Sequence, residues 1–361
     1  MTEVIGRSVW DYSELMSDEN WKYALTDSDI EEIDSAIAYV INNQIPLESL
    51  NKQNFPLKHL SEKLEYLLQE INTGRGFVYI TGLPVKKYNE LESTVAYLGL
   101  SVYLGKLRCH NSHGWMMNRL IDMDRDKKNP NTLLAQTSIE FTTHTDSCDI
   151  VGILCIQNVS KENGGDTYVA SSGAIHNKML NDTPELLEQL FHEFPCDRRG
   201  QIPEGKDPWY MMPVFSWFHG NLTTWFHRQY INLVQGIYPE APRVTEKEQL
   251  ALKTFEKIST DPNYMINFHI ESGDMIFMNN LTVVHGRTTW RDGDSFEDKR
   301  YLYRVWLCQE SGIKIPDCYK DRWGSTTPGD RGGFYGKPNI KYKVPSLQEV
   351  IDDTAATAKK G

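Results

Sequence analysis

The chain has no run approaching the roughly 18 apolar residues of a membrane-spanning helix, so no helical membrane span is expected. Its opening residues, Met1-Thr2-Glu3-Val4-Ile5-Gly6, lack the basic start and apolar stretch of a secretion signal. Basic surface is also scarce. With 38 Lys and Arg against 49 Asp and Glu, the formal net charge is −11. That balance argues against a nucleic acid or an anionic membrane as partner, because both select a basic footprint. The cysteines Cys109, Cys148, Cys155, Cys196, Cys308 and Cys318 include no CxxC pair. Without a secretion signal they are expected as reduced thiols in a cytoplasmic protein. The sequons at Asn158, Asn181, Asn221 and Asn280 are then chance matches.

Neither an internal repeat nor a long Gly/Ser-rich linker is visible, so 361 residues are read as one catalytic unit rather than two joined domains. Hydrophobic residues at 40% and charged residues at 24% place the chain among globular proteins. Apolar periodicity predicts helices over 28–43, 59–72, 88–104, 183–192 and 245–259, the last opened by Thr245 and Glu248 in capping-box positions. Short apolar and β-branched runs at 76–82, 150–158, 166–170, 211–217, 265–270, 274–278 and 300–308 predict strands. Residues 105–135 read as irregular. The pattern predicts a β-rich α+β fold, a barrel or jelly roll with helices outside. An N-terminal helical segment (1–73) precedes the catalytic domain (74–340), and a tail over 341–361 is expected to fray.

The chemistry starts at Thr143-His144-Thr145-Asp146-Ser147. On a strand, residues i and i+2 share a face, so His144 and Asp146 can offer an imidazole and a carboxylate to one cation. His-x-Asp alone is weak evidence. The C-terminal half adds a Gly273-Asp274 turn, Asn279-Asn280, and then Leu281-Thr282-Val283-Val284-His285-Gly286-Arg287. A second histidine completes a two-histidine, one-carboxylate set, which leaves three positions of an octahedral iron(II) open. Further on, Arg300, Leu302 and Arg304 alternate onto one face of an apolar strand. Two inward guanidiniums are costly without anions, and a dicarboxylate cosubstrate is such an anion.

Taken in order with Gly164-Gly165-Asp166-Thr167, these motifs resemble the taurine dioxygenase and clavaminate synthase-like family of iron(II)/2-oxoglutarate-dependent oxygenases, over roughly residues 74–309. The resemblance implies a double-stranded β-helix (jelly roll). It implies His144, Asp146 and His285 as metal ligands, with 2-oxoglutarate and O2 as cosubstrates. Thr167 and Arg300 would hold the distal carboxylate, and Arg304 would face the cosubstrate's proximal end or the substrate. The inserted segment 290–298 leaves the choice between the two arginines open. Hydroxylation is the default outcome; desaturation and oxidative cyclisation are alternatives. An aspartate at position 146, where halogenases of the family carry a small residue, disfavours halogenation.

For the substrate pocket the candidates are Glu140 and Phe141 beside the first ligand, Asn118 from the upstream loop, and Tyr210, Phe226 and Arg228 from aromatic-rich runs. The loop's His110, Asn111, His113 and Trp115 fit a cover over the site or an ordinary surface loop. His110-x-x-His113 lacks the second pair a zinc site needs. Arg304 or Arg228 would suit a carboxylate, which points to an amino acid or an amino-acid-derived natural product. A small molecule is the one partner expected, and no oligomeric signature is readable. Two rival readings are a non-catalytic jelly-roll metal- or ligand-binding protein and a zinc hydrolase. The intact triad together with both arginines speaks against the first, and the second would leave Arg300 and Arg304 without a purpose.

Overall fold

The computed structural model describes residues 2–123, 137–335 and 340–358, so part of the 105–135 segment lies outside it. In chain order the strands are β1 (Lys22–Ala24), β2 (Phe77–Thr81), β3 (Lys106–Arg108), β4 (Asn118–Ile121), β5 (Phe141–His144), β6 (Ile150–Gln157), β7 (Thr167–Ser171), β8 (Glu193–Asp197), β9 (Trp209–Pro213), β10 (Phe215–Phe218), β11 (Asn221–Thr224), β12 (Met265–Phe268), β13 (Met275–Asn279), β14 (Val283–Arg287) and β15 (Tyr301–Cys308). A seven-stranded sheet runs β1-β2-β13-β6-β15-β3, with β4 also on β15; a four-stranded sheet runs β12-β7-β14-β5. β8-β9 and β10-β11 are separate hairpins.

Side-chain alternation sorts the core into layers. From β13, Ile276 and Met278 join Val151, Ile153 and Leu302 of the large sheet and Val169 and Val283 of the small one in a single buried cluster between the sheets. Met275 and Phe277 face the opposite way, into a cluster with helices Asp27–Asn42, Leu60–Thr73 and Glu90–Leu104. The small sheet's other face, through Ala170 and Val284, packs on the helices Ser172–Asp182 and Glu246–Ser259 and on both hairpins. The Thr245 capping box is formed, with Thr245 accepting from the Glu248 amide. Burying Leu60, Leu64, Leu67 and Ile71 at helical spacing fixes the second helix against β2 and β13.

Several sequence expectations shift. The 183–192 helix is a short α-turn, Pro184–Leu187, continued as a 3-10 helix to Phe191. The supposedly irregular 105–123 stretch supplies β3 and β4. Residues before 73 are not purely helical: β1 pairs in parallel with β2 at the sheet edge. The tail, expected to fray, carries a helix over Leu347–Ala358. It is anchored where Arg119 donates to the Pro345 carbonyl (2.9 Å) and where Trp115 and Lys343 form a bridge. Among the described residues no helix is long and apolar enough to cross a membrane.

Gly286 shows how tightly β14 is held. A Cβ there would collide with the Tyr168 ring and hydroxyl and lie 2.9 Å from the Phe141 carbonyl oxygen. These neighbours belong to the strands on either side, so neither gives way cheaply. Gly286→Ala is expected to destabilise the metal-free protein by about 1–3 kcal/mol in denaturant titration. Because it displaces His285, metal affinity should fall as well; an unchanged midpoint would contradict this packing.

Candidate active site

Antiparallel pairing of β14 with β5 sets His285 directly opposite His144, so two backbone ladders fix both imidazoles. Their ring centroids lie 4.3 Å apart. Phe141, three residues earlier on β5, stacks on His144 at 3.8 Å. Asp146 is not on a strand, since β5 ends at His144. It is brought back by two clamps. Its amide donates to Oδ1 of Asn280 (2.9 Å), while Thr145 exchanges hydrogen bonds with the Phe226 backbone, N to O at 2.9 Å and Oγ1 from N at 3.1 Å. As a result, ligand atoms of His144, Asp146 and His285 lie within 4.8 Å of one another, all buried.

The electrostatics suit a cation. Nδ1 of His144 lies 2.8 Å from the Thr142 carbonyl, which can only accept, so the proton sits on Nδ1 and Nε2 is left as the ligand atom. Burial, with His285 adding to it, pushes His144 down to about 3, and burial pushes His285 down to about 4. Both rings are therefore neutral donors at pH 7. Burial alone would raise the Asp146 carboxyl, yet Arg304 and the histidines outweigh it and hold the group below its usual range. Arg304 Nη1 lies 3.1 Å from Asp146 Oδ1.

These neutral histidines have a consequence for pH. His110 and His227 are also held well below the ordinary 6.5 by burial. As acid protonates histidines of the unfolded chain, the folded ones stay neutral, so the unfolded state binds more protons and stability falls. The metal-free protein should hold its stability above about pH 7 and lose it as pH drops from 6.5 toward 4, where His285 itself charges. Thermal melts at pH 7.5 and 5.5 should show the drop, reduced in His227→Phe. A higher melting temperature at pH 5.5 would sink the argument.

Two chambers meet at the three ligands. The inner one is lined by Leu120, Phe141, His144, Ile153, Thr167, His285, Arg287, Arg300, Leu302 and Arg304. Arg300 donates to the Gly165 carbonyl (3.2 Å) and lies over the Trp290 ring (4.9 Å), but its buried Nε has no partner. Among the described residues no carboxylate forms an ion pair with it. Burial lowers it to about 10, so it remains charged at pH 7. Arg287, 4.2 Å from the same Trp290 ring, donates to the carbonyls of Thr137 and Ile139.

The outer chamber is lined by Asp146, Arg304, Asn118, Phe141 and Tyr210, by His110, Asn111 and Trp115 of the loop read as a possible cover, and by Asp197, Arg199, Trp225, His227, Trp306, Arg322 and others that the sequence reading did not assign. Phe226 is not brought there. Its ring stacks on Phe255 at 4.2 Å, while its neighbours Trp225 and His227 face the cavity. Arg228 starts a helix and pairs with Glu256, and Glu140 is exposed outside both linings.

Two histidines and an aspartate thus converge at the edge of the four-stranded sheet with the spacing of a metal site. The chain belongs to the taurine catabolism dioxygenase TauD, TfdA family, which it matches over residues 43–306. The match starts earlier than the motifs alone suggest and takes in the helix Leu60–Thr73. A curated relative, FR-33289 synthase of Streptomyces rubellomurinus (strain ATCC 31215), is 28% identical over 326 residues, covering 89% of this chain and 95% of that protein. Two solved structures share the fold. One is an asparagine oxygenase in complex with Fe(II), 2S,3S-3-hydroxyasparagine and succinate (TM-score 0.60, 13% identity, 80% of this chain and 93% of that one). The other is the non-haem iron oxygenase OrfP with Fe and alpha-ketoglutaric acid (TM-score 0.58, 13% identity, 79% and 93%).

Proposed function

We propose that the protein is an iron(II)- and 2-oxoglutarate-dependent oxygenase that hydroxylates a C–H bond of a small organic substrate. The observation carrying this reading is the buried convergence of His144, Asp146 and His285 beside Arg300, a charged guanidinium with no anionic partner among the described residues. Two neutral imidazoles and one carboxylate suit iron(II) and leave positions open. Arg300 with Thr167 suits the distal carboxylate of 2-oxoglutarate.

Bound together, iron and cosubstrate supply the oxidation: O2 gives one oxygen atom to succinate as 2-oxoglutarate loses carbon dioxide, and the other to the substrate C–H bond. The chain's own residues orient and exclude. Thr142 fixes the His144 tautomer, and Asn280 and Phe226 hold the Asp146 loop. Arg304 keeps Asp146 anionic, while Phe141, Leu120, Ile153 and Leu302 keep water out of the inner chamber. Because Arg304 is committed to Asp146, Arg300 is the better anchor for the cosubstrate.

The two sheets are read as the halves of a double-stranded β-helix (jelly roll). Residues 74–340 form the catalytic domain, 1–73 pack on it, and 341–361 form its C-terminal extension. The substrate is read as an amino acid or an amino-acid-derived natural product, which the 3-hydroxyasparagine in the asparagine oxygenase structure supports. A cytoplasmic location accords with six unpaired cysteines.

The test is anaerobic absorbance with iron(II) and 2-oxoglutarate. Wild type should develop the weak visible charge-transfer band of chelated 2-oxoglutarate, and His285→Ala should not. A folded, iron-binding wild type without that band would refute the reading.

A further inference from the structure

After β15 the chain returns to the site. Tyr319 and Trp323 are buried in the cluster that also holds Tyr210 and Trp225. Residues 331–335 then run between the turn that carries Asp146 and the start of the loop over 110–115. The Gly333 amide donates to the Ser147 carbonyl and the Phe334 amide to the Cys109 carbonyl, both at 2.7 Å. Gly332 has a φ of 74°, and a Cβ there would lie 3.0 Å from both Cys148 Cα and the Ser147 carbonyl oxygen. Phe334 and Tyr335 continue into the wall of the outer chamber.

The segment is fastened by Arg331, which is fully buried. Its Nε donates to Oδ1 of buried Asp149 at 2.9 Å, and Nη2 lies 2.8 Å from the same oxygen, off the hydrogen-bonding axis. Nη1 donates to the Ile313 carbonyl at 2.7 Å. The other carboxylate oxygen of Asp149 accepts from the Gln309 amide at 2.8 Å. The backbone of Asp149 leads on to the metal ligands: its carbonyl accepts from the Asn280 amide (2.9 Å), and Asn280 Oδ1 accepts from the Asp146 amide (2.9 Å). The Cys148 amide closes the turn by donating to the Asp146 carbonyl at 3.0 Å. Neither Arg331 nor Asp149 lines either chamber.

We propose that Arg331 is a positioning residue of the metal site, acting through Asp149 to fix the turn that aims Asp146. The same contact seats residues 333–335 as a wall of the outer chamber, so metal affinity and the ordering of that wall are coupled. At this depth desolvation offsets much of the pair's mutual attraction. Its use is placement: it joins two segments 182 residues apart in sequence. This rests on the oxygenase reading only in taking His144, Asp146 and His285 as metal ligands; it needs neither 2-oxoglutarate nor a substrate.

The test reads iron(II) affinity under argon and amide hydrogen exchange, both in the full chain. Arg331→Gln should weaken iron(II) binding about tenfold, as loss of a group supporting a metal ligand does, and Arg331→Lys should keep part of the affinity. In the metal-free variant, exchange should quicken over 145–149 and 332–335 together. Iron(II) should slow exchange at 332–335 in wild type and not in Arg331→Gln. Because Arg331→Gln strands a buried carboxylate, Asp149→Asn/Arg331→Met is measured beside it. With no charge left unpaired, the double variant should regain stability but not iron affinity. Leu64→Ala, which opens a cavity in the helical cluster, should lose stability with iron affinity unchanged. Iron affinity that recovers with stability in the double variant, or falls equally in Leu64→Ala, would give the pair a structural role alone and overturn the proposal. So would iron binding that leaves exchange at 332–335 unchanged in wild type. The charge-transfer band keeps the two readings apart. Its absence from an iron-binding wild type removes the oxygenase reading, while exchange and iron affinity still decide the role of Arg331.

Discussion

Replacing Arg300 with glutamine should raise the KM for 2-oxoglutarate roughly a hundredfold, with iron binding retained. Losing one partner of a buried charge pair costs about 2–5 kcal/mol, and ~3 kcal/mol corresponds to about two powers of ten. The stability effect should have the opposite sign. In the metal-free chain this guanidinium is buried without a carboxylate partner among the described residues, and its Nε is unsatisfied. Desolvating it costs energy that no ion pair offsets. Arg300→Met should therefore melt at the same temperature as wild type or higher, while losing cosubstrate affinity. Adding 2-oxoglutarate with metal should raise the melting temperature of wild type but not of this variant. A metal-free Arg300→Met protein that melts well below wild type would assign Arg300 a structural role instead.

The second large effect belongs to Asp146, which has two tasks. As a ligand its removal should drop turnover to background. As the partner of Arg304 it also neutralises a buried charge, with side chains only 8% and 11% exposed. Removing one member of such a pair costs about 3–5 kcal/mol, and the residual exposure of Arg304 favours the lower end. Asp146→Ala should thus lose about 3 kcal/mol in denaturant unfolding of the metal-free protein. His285→Ala, which breaks no arginine pair, should lose activity with a smaller stability change. Asp146→Ala/Arg304→Met should regain most of the lost stability and none of the turnover. If the double variant is as unstable as the single one, the Arg304 contact is not what Asp146 stabilises.

How far the sequence reveals the site depends on how far apart its parts lie along the chain. His144 and Asp146 are two residues apart, and Arg300, Leu302 and Arg304 follow strand period, so local pattern suffices; the latter three do share the inner chamber. Strand period does not by itself account for the first pair, however. Asp146 lies beyond the strand, and its position depends on Asn280 and the Phe226 backbone, contacts that no local period encodes. The aromatic run at 225–230 was recognisable as wall material, but its phase was not. Taking Phe226 rather than Trp225 and His227 is a one-residue error, and it turns the chosen side chain into the core. Arg199 and Arg322 were out of reach because they come from segments far apart in sequence that meet only after folding. The helix at Leu347–Ala358 was missed for a related reason: Thr and Ala near the end suggested fraying, whereas Arg119 and Trp115 tie the segment that leads into it.

The two chambers also differ in what they are made of. Most of the inner lining comes from strands, β4, β5, β6, β7, β14 and β15, with Arg300 immediately before the last. Much of the outer lining lies on connecting segments, around residues 110–115, 145–147, 198–203, 225–227 and 334–335. Ladder positions are fixed by pairing on both sides, whereas connections tolerate insertion and replacement. The fold thus separates an inherited engine from an exchangeable nozzle. Exchanging these loops can change which molecule is oxidised while the parts that handle cosubstrate stay in register.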